Sequence, residues 1–286
     1  KPYKSMLLFI MITMLFYTGT SVALPLIIGM GISGIIGDDA SVSRLSLAAI
    51  LFLFTVGVGF VTQFAYLRSL ARLGQNILYD LRTDLFNHTQ SLSMSFFDKS
   101  EVGRIMSRIQ NDVQQLQEFF SIIILTLADI LTILAIITAM IIMKWNLALL
   151  VLTVVPLLVL TMLLWQRYAW RSFMRVRRAI ASLNANLQEN ISGVRVIQSL
   201  NREKQNLQNF QKLNYKHLDA NIKASRLSAA IHPVVEMLTA VAFALVIIFG
   251  GLMVLNDTIG VEVLVVFALF IQRFFEPIRN LTMQYA

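Results

Sequence analysis

Six long apolar segments divide the sequence, and each contains few charged residues. Each segment is close to or above the length of about 20 residues that a helix needs to cross the hydrocarbon core of a bilayer. The segments cover residues 6–36, 45–67, 119–143, 147–165, 234–255 and 261–281. This pattern predicts an all-α membrane protein with six transmembrane helices, folded as one domain over residues 1–286.

The helical pattern continues past the membrane in two places. The second segment runs on to about residue 90, so that this helix has about 45 residues and a length of about 68 Å, more than twice the hydrocarbon core. A second helical extension descends from the fourth segment and returns to the fifth, and it turns at residues 191–203. Gly193 lies in that turn and marks a break in an otherwise continuous helix.

Apolar side chains occupy the far turns of both extensions. Phe96 and Phe97 stand beside Asp98 in the first turn, and Ile197 and Leu200 lie in the second. Apolar residues this far from the membrane indicate a missing apolar surface. The alternative for the second turn is a polar helix–helix connection without a partner. After the first turn, Ser100 followed by Glu101 predicts a helix N-cap with an acidic residue in the first helical turn.

Composition supports a membrane protein, with 57% hydrophobic and 14% charged residues. The absence of cysteine excludes disulfides, zinc–cysteine sites and cysteine catalysis within these 286 residues. The three histidines fall on different segments without metal-ligand spacing, and no Ser–His–acid constellation is visible. We therefore expect no metal site and no catalytic residue in this chain.

The basic residues predict the orientation in the membrane. Of 24 lysines and arginines, Arg44 and Lys144 fall near connections on one side and Arg273 falls within the last segment, which leaves 21 on the other side. Lysine and arginine near segment ends are retained in the cytoplasm. We expect a multi-pass protein of the plasma (inner) membrane with cytoplasmic termini and turns. The net charge of +8 then lies beside anionic lipid and indicates no nucleic-acid partner.

Three charged residues fall within apolar segments, namely Asp129, Arg273 and Glu276. A charge in hydrocarbon costs about 2.5 kcal/mol or more, so such residues face a partner, water or the bundle interior. Arg273 and Glu276 lie one turn apart as a possible ion pair, with Gln272 beside them, and either line a cavity or stabilise packing. Packing is favoured for Asp129. We expect Val265 and Leu269 to lie on a different side of this helix from the polar group.

A basic stripe follows the extension of the second segment. Its members recur at helical offsets, and they are Arg68, Arg72, Gln75, Tyr79 and Arg82. The stripe could line a cavity for an anionic amphiphile, with Arg72 as a candidate. The favoured interpretation is that the arginines reach lipid phosphates at the inner interface.

The order and spacing of several motifs resemble the transmembrane domain of an ABC exporter half-transporter of the multidrug and lipid-flippase type, over essentially the whole chain. The residues that carry this resemblance are Lys1-Pro2-Tyr3-Lys4, Leu81-Arg82, Phe96-Phe97-Asp98, Gly103, Ser107-Arg108, Asn111-Asp112, Glu189, Ser192-Gly193, Val194 through Glu203, and Glu276-Pro277.

The resemblance implies two short coupling helices, at residues 94–100 and 197–203, that dock on ATPase domains. The coupling residues would be Phe96, Phe97, Asp98, Glu101, Ile197, Leu200 and Arg202. It also implies a dimer with a second half-transporter, identical or not, and outward transport of an amphipathic compound or lipid by alternating access. ATP and Mg²⁺ would bind to the nucleotide-binding domains.

One part of the family pattern is missing from these residues. None of the 13 glycines is followed by lysine, so no G-x-x-x-x-G-K-[ST] phosphate loop exists here and this chain cannot hydrolyse ATP itself. We expect the ATPase domain elsewhere in a longer polypeptide. The alternative function is an isolated ligand-binding or structural helical membrane module without transport. An ion channel is disfavoured because no filter sequence is visible.

Overall fold

The computed structural model describes residues 3–36 and 42–284, with the side chains of Ile36, Lys99 and residues 280–284 left out. Helices and short turns account for this part of the chain, in which no strand occurs, so the prediction of an all-α protein is confirmed. Lys1, Pro2 and the predicted connection at 37–41 lie outside it. The helices are α1 Lys4–Ile36, α2 Val42–Gln90, α3 Met94–Lys99, α4 Val102–Ser107, α5 Val113–Leu152, α6 Val154–Ser192, α7 Val194–Ser199, α8 Glu203–Leu245, α9 Gly251–Leu255 and α10 Val261–Gln284.

Four helical stretches within the described residues are long and apolar enough to cross a membrane: Lys4–Ile35, Val42–Gln90, Val102–Leu152 and Glu203–Leu255. The third stretch contains the predicted segment 119–143 and only the first six residues of the segment 147–165, and it is kinked at Lys144, whose backbone leaves the helical region (φ −159°, ψ 96°). Helix α10 is long enough to cross a membrane but is not apolar enough to join these four, because it contains charged residues such as Glu262, Arg273 and Glu276. The count of six transmembrane helices stays a prediction.

The chain divides into two compact units, one of residues Lys1–Ala148 and Val246–Ile278 and the other of Leu149–Leu245 and Arg279–Ala286. The prediction of one domain over residues 1–286 stays a prediction.

In the first unit, α1, α2 and α5 share an apolar core. Ile10 and Met14 of α1 pack with Tyr66, Leu70 and Leu73 of α2, and all five are at most 7% exposed. Residues of α5 cover this cluster, namely Ile124, Leu125, Ala128 and Leu131. The buried positions of α2 recur every three or four residues, as expected for one face of a helix. The basic stripe lies on other positions, and Arg68, Arg72, Gln75 and Tyr79 are exposed.

Helix α10 contributes the most densely buried surface of the first unit. Its fully or almost fully buried residues are Val266, Phe267, Phe270, Ile271, Phe274, Phe275 and Ile278. Helix α1 approaches this surface at Gly29, where an added Cβ atom would lie 2.5 Å from Cγ2 of Val266. Since real Cβ contacts are not this short, the close approach of α1 to α10 depends on glycine at this position.

The first helical extension is held together by contacts near its middle and far end. Gly74 of α2 faces Gln117 of α5, and Arg82 donates a hydrogen bond from Nη2 to the Gln110 carbonyl oxygen (3.4 Å). Gln110 lies in a π-helical turn, Arg108–Asp112, that joins α4 to α5. Tyr3 donates a hydrogen bond to the Asp80 carboxylate, and this bond raises the pKa of Tyr3. Tyr3, which immediately precedes α1, is therefore attached to the extension.

The predicted N-cap at Ser100 is wrong by one residue. Ser100 ends α3, with an extended backbone (φ −120°, ψ 130°) and its N–H bonded to the Phe97 carbonyl oxygen. Glu101 then occupies the N-cap position of α4, without a hydrogen bond from its side chain to the backbone. Its carboxylate pairs instead with Arg104 at 3.4 Å. The short connection between α3 and α4 leaves Ser100 no room to serve the second helix.

The second unit is a long hairpin of α6 and α8, closed by α7. In the middle part of the hairpin, Trp165 of α6 donates a hydrogen bond from Nε1 to the Leu227 carbonyl oxygen of α8 (3.0 Å). Near α7, Asn206 donates a hydrogen bond from Nδ2 to Oδ1 of Asn190 (2.7 Å). Asn190 in turn donates from its own Nδ2 to Oδ1 of Asn186 (3.0 Å). Small buried residues such as Ala169, Ser172 and Ala224 lie between these points. Polar contacts at two separate levels thus help to fix the pairing of the two helices.

Candidate functional site

Polar side chains from four helices of the first unit lie within apolar segments. They are Tyr17 of α1, Tyr66 of α2, Asp129 of α5, and Arg273 and Glu276 of α10, and electrostatic interactions at longer range link them. Gln63 of α2 adds a weak hydrogen bond from Nε2 to the Tyr17 hydroxyl, at 3.5 Å. All these residues fall within predicted transmembrane segments. We call Tyr17, Tyr66, Asp129, Arg273 and Glu276 the intramembrane cluster.

The helical repeat of α10 places Arg273 and Glu276 on its outer edge. Nη1 of Arg273 lies 3.9 Å from Oε2 of Glu276, and the two side chains are 38% and 60% exposed. Phe274 and Phe275, which come between them in sequence, face the core. Gln272 is exposed as well. Pro277 has no N–H, so the Arg273 carbonyl oxygen loses its usual partner four residues along the helix.

The expected separation of apolar and polar positions on α10 is wrong. Positions 265, 269, 272 and 276 follow one another at offsets of four, three and four, and such positions share one face of a helix. Val265 and Leu269 are therefore on the same stripe as Gln272 and Glu276, and both are only half-buried. The core-facing stripe is instead the phenylalanine-rich one.

Asp129 and Tyr66 are the members of the intramembrane cluster without a bonded partner. The half-buried Asp129 carboxylate forms no hydrogen bond or ion pair with any other described residue. Tyr66 is 3% exposed, and its hydroxyl also lacks a hydrogen-bond partner within the described part of the chain. Four of the five cavity candidates are Gln272, Arg273 and Glu276 on α10 and the half-buried Asp129 on α5. The fifth, Arg72, is exposed on α2.

Helix α3 forms the tip of the first extension, at residues predicted to couple to an ATPase. The rings of Phe96 and Phe97 pack edge to face with their centres 5.6 Å apart. Phe96 is exposed and Phe97 is half-buried, whereas Met94, which the sequence analysis did not single out, is 77% exposed. Asp98 and Glu101 are exposed. The tip therefore presents an apolar surface of Met94 and Phe96 with acidic residues beside it.

Helix α7 forms the tip of the second unit. It covers Val194–Ser199, so it begins three residues before the predicted coupling helix. Residues 200–202 of that prediction form a connection, and Glu203 is the first residue of α8. Asn201 makes that turn with φ of 52°, a left-handed conformation that asparagine tolerates better than most residues. Leu200 is 64% exposed at the end of α7, while Ile197 is half-buried. Arg202 donates a hydrogen bond to Oε1 of Gln205 (2.7 Å).

A cleft of about 510 Å³ opens beside α7. Its lining combines Val196, Ile197 and Leu200 with polar side chains at the ends of α6 and α8, among them Glu189 and Arg202. Gly193 lies at its edge, between α6 and α7, where an added Cβ would come within 3.1 Å of the Glu189 carbonyl oxygen. The break predicted at Gly193 thus coincides with the start of this tip.

Comparison with known protein families shows to which family the chain belongs. The model of the ABC transporter transmembrane region matches residues 7–278, which include α3, α7 and the whole intramembrane cluster. This chain belongs to the ABC transporter transmembrane region family. The resemblance seen in the sequence is therefore confirmed.

Two curated relatives of this ABC transporter domain are bacterial proteins. The "Uncharacterized ABC transporter ATP-binding protein YknV" of Bacillus subtilis (strain 168) is 33% identical over 100% of this chain and 48% of its own length. A "Putative multidrug export ATP-binding/permease protein" of Staphylococcus aureus (strain NCTC 8325 / PS 47) is 28% identical over 97% of this chain and 49% of its own length. The chain thus spans about half the length of these relatives.

The cluster contains residues that the sequence analysis missed. Tyr17, Gln63 and Tyr66 are polar side chains within apolar segments, and that position was the signal that could have found them. A second omission is the ion pair of Arg279 with Glu236, 2.6 Å between Nη1 and Oε1, in the second unit. Residues 43 positions apart have no regular spacing that would predict a contact, so only the structure shows this ion pair.

Proposed function

We propose that this ABC transporter domain is the substrate-translocation part of a dimeric ATP-driven exporter, which moves amphipathic or hydrophobic compounds or lipid outward by alternating access. The observation that carries the proposal is the family match over residues 7–278, together with relatives of about twice the length that are named ATP-binding proteins or permeases. In this proposal each chain has six transmembrane helices. A second half-transporter, identical or not, completes the translocation path.

The two helical tips support a coupling role. Helices α3 and α7 each have six residues, each follows a helix of 39 or more residues, and each leaves apolar side chains exposed. Exposed apolar surface at such places indicates a protein partner. We propose that nucleotide-binding domains, which bind ATP and Mg²⁺, dock on these tips, and that the long helices carry the resulting movement to the membrane.

The intramembrane cluster supports a substrate-binding role. Polar and charged groups within transmembrane helices are costly and mark transport pathways. For transport, the substrate must bind more tightly to one state of the protein than to another, because equal binding shifts no equilibrium. Side chains contributed by four separate helices suit this requirement, since a movement of any of these helices changes the site.

The proposal is tested with the full-length protein in inside-out membrane vesicles. We expect ATP-dependent uptake of at least one compound from a panel of amphipathic dyes and fluorescent phospholipids, because outward transport in a cell becomes uptake in such vesicles. Uptake should stop when ATP is replaced by a non-hydrolysable analogue. The absence of ATP-dependent movement of every compound, in a protein that still binds ATP, would favour the alternative of a ligand-binding or structural module.

Cysteine labelling tests the proposed orientation in the plasma (inner) membrane. A cysteine replacing Asp257, in the turn between α9 and α10, is expected to react with a membrane-impermeant reagent added outside intact cells. A cysteine replacing Ser199, at the end of α7, should react only after the membrane is opened, because the basic residues predict a cytoplasmic tip. The 286 residues contain no cysteine, so they contribute no background labelling. Labelling of position 199 from outside would contradict the orientation.

A further inference from the structure

A groove runs between α1 and α2 in the first unit. It has a volume of about 380 Å³, which falls within the range of ligand pockets. Its lining includes Leu15, Phe16 and Gly19 of α1 and Phe54 and Val58 of α2, all within the first two predicted transmembrane segments. Phe16 is 61% exposed and Phe54 is 68% exposed, so the groove opens toward the surroundings of the two helices.

The lining of the groove offers almost no hydrogen-bonding group. Its side chains are hydrocarbon apart from those of Thr20 and Thr55, and the Thr20 hydroxyl donates a hydrogen bond to the Tyr17 carbonyl oxygen (2.7 Å). A polar molecule would lose its hydrogen bonds to water on entering such a groove, whereas an extended hydrocarbon chain has none to lose. The lining therefore fits an acyl chain.

Glycine at position 19 keeps the groove open. An added Cβ atom at Gly19 meets no atom within 4 Å, although this residue lines the groove. By contrast, an added Cβ at Gly59 of α2 would lie 3.2 Å from Oγ1 of Thr20. The two helices thus pack closely at Gly59 and leave an open space beside Gly19.

Two arginines of α2 lie beyond one end of the groove. Arg68 comes ten residues after Val58, about 15 Å along the helix, which is half of the hydrocarbon core. Arg68 and Arg72 are exposed and recur on the helical face of Phe54. Neither forms an ion pair with another described residue, and the Arg68 guanidinium lies 5.9 Å from the centre of the Phe64 ring. A lipid with its chain in the groove would place its phosphate beside these arginines.

We infer that the groove holds one acyl chain of a resident anionic phospholipid, whose phosphate group contacts Arg68 and Arg72. This lipid is distinct from the transported compound, because no member of the intramembrane cluster lines the groove. A second copy of this chain suits the groove less well. The side of the chain that carries the helical extensions has a net positive charge, which Arg68 and Arg72 would repel.

The test measures which lipids remain bound to the full-length protein. Protein in detergent is titrated with dioleoylphosphatidylglycerol or dioleoylphosphatidylcholine, and bound lipids are counted by native mass spectrometry. The two probes have the same acyl chains and differ in headgroup charge. We expect one lipid per chain to be retained, with at least about fivefold higher affinity for the phosphatidylglycerol, because each basic residue at the interface favours an anionic headgroup by about this factor. Equal retention of the two lipids would overturn the inference.

Substitutions of two glycines assign the lipid to the groove. Gly19→Leu fills the open space, so the retained lipid should be lost while the protein melts as the wild type does. Gly57→Leu is the matched control, because an added Cβ at Gly57 also meets no atom within 4 Å but this residue does not line the groove. Phe54→Ala removes an exposed wall of the groove and should weaken the binding of both lipids. Unchanged lipid binding in Gly19→Leu and Phe54→Ala would contradict the assignment.

A third pair of variants tests the contact with the headgroup. Arg68→Gln should weaken phosphatidylglycerol binding about fivefold and leave phosphatidylcholine binding unchanged. Arg178→Gln alters the net charge equally at an exposed position of α6, about 20 Å beyond the predicted transmembrane segment, and should change neither affinity.

The alternative occupant gives a different result. A wild-type dimer that retains no lipid, and that Gly19→Leu dissociates, would assign the groove to a second copy and remove the lipid site. None of these measurements depends on ATP or transport, so the loss of the lipid site would leave the exporter proposal standing.

Discussion

Replacing Leu200 with aspartate in the full-length transporter is expected to abolish transport while ATP binding persists. Leu200 is 64% exposed at the end of α7 and lies beside the cleft at the tip of the second unit. Truncating a central apolar residue of a small interface commonly costs about 2 kcal/mol, and a buried unpaired carboxylate adds its own desolvation cost. Since Leu200 contributes little to the folded hairpin, the loss should be one of coupling. Transport and substrate-stimulated ATPase activity are measured together with nucleotide binding.

The matched control for this change is Leu218→Asp. Leu218 is an exposed leucine of α8, in the middle of the extension and away from the tip. It introduces the same charge without altering the proposed interface, so transport should be retained. Phe96→Ala at the other tip should reduce coupling in the same manner but less completely. Normal substrate-stimulated ATPase activity and transport in Leu200→Asp would show that α7 is not the contact.

Replacing Gly29 with alanine is expected to destabilise the protein, although alanine normally stabilises a helix relative to glycine. The added Cβ would lie 2.5 Å from Cγ2 of Val266, and a β-branched valine in a fully packed surface has little freedom to move. Overpacking of this kind costs about 1 to 3 kcal/mol. The apparent melting temperature in detergent, recorded at one fixed heating rate, should fall.

Gly19→Ala in the same helix provides the control. An added Cβ at Gly19 meets no atom within 4 Å, so only the gain of about 0.5 to 1 kcal/mol from reduced backbone entropy remains. The apparent melting temperature should stay the same or rise. The opposite signs of the two substitutions distinguish close packing of α1 against α10 from a general effect of glycine in α1. A rise for both variants would mean that α1 does not pack closely at Gly29.

The fold was predictable wherever hydrophobic periodicity is strong. The extension of α2 to Gln90 follows from a helical pattern that continues past the apolar segment, and the break at Gly193 follows from a lone glycine in a polar turn. The boundaries of short helices were harder to predict from the sequence. Ser100 is the better N-cap candidate by residue type, and only the structure shows that α4 begins at Val102, which makes Glu101 its N-cap residue.

The candidate site was partly predictable because charge within an apolar segment is visible in any sequence. Asp129, Arg273 and Glu276 were found in this way. Tyr17 and Tyr66 were not, because an uncharged tyrosine is a weaker signal than a charge, and only the structure shows that α1, α2 and α5 pack together. Arg72 was assigned to the same site from its helical face alone, which cannot show whether that face points toward the cluster.

The length of the second hairpin has a mechanical consequence. Helix α8 has 43 residues, and at about 1.5 Å per residue it extends about 64 Å, with its tip held to α6 by Asn190 and Asn206. Such a rod behaves as a lever, because a tilt of about 5° at one end displaces the other by about 5 to 6 Å over this length. Small rotations within the membrane would then correspond to displacements at α7 as large as a full helical turn. The bending stiffness of α8, more than the strength of any one contact, would then determine how much of a movement in the membrane reaches α7.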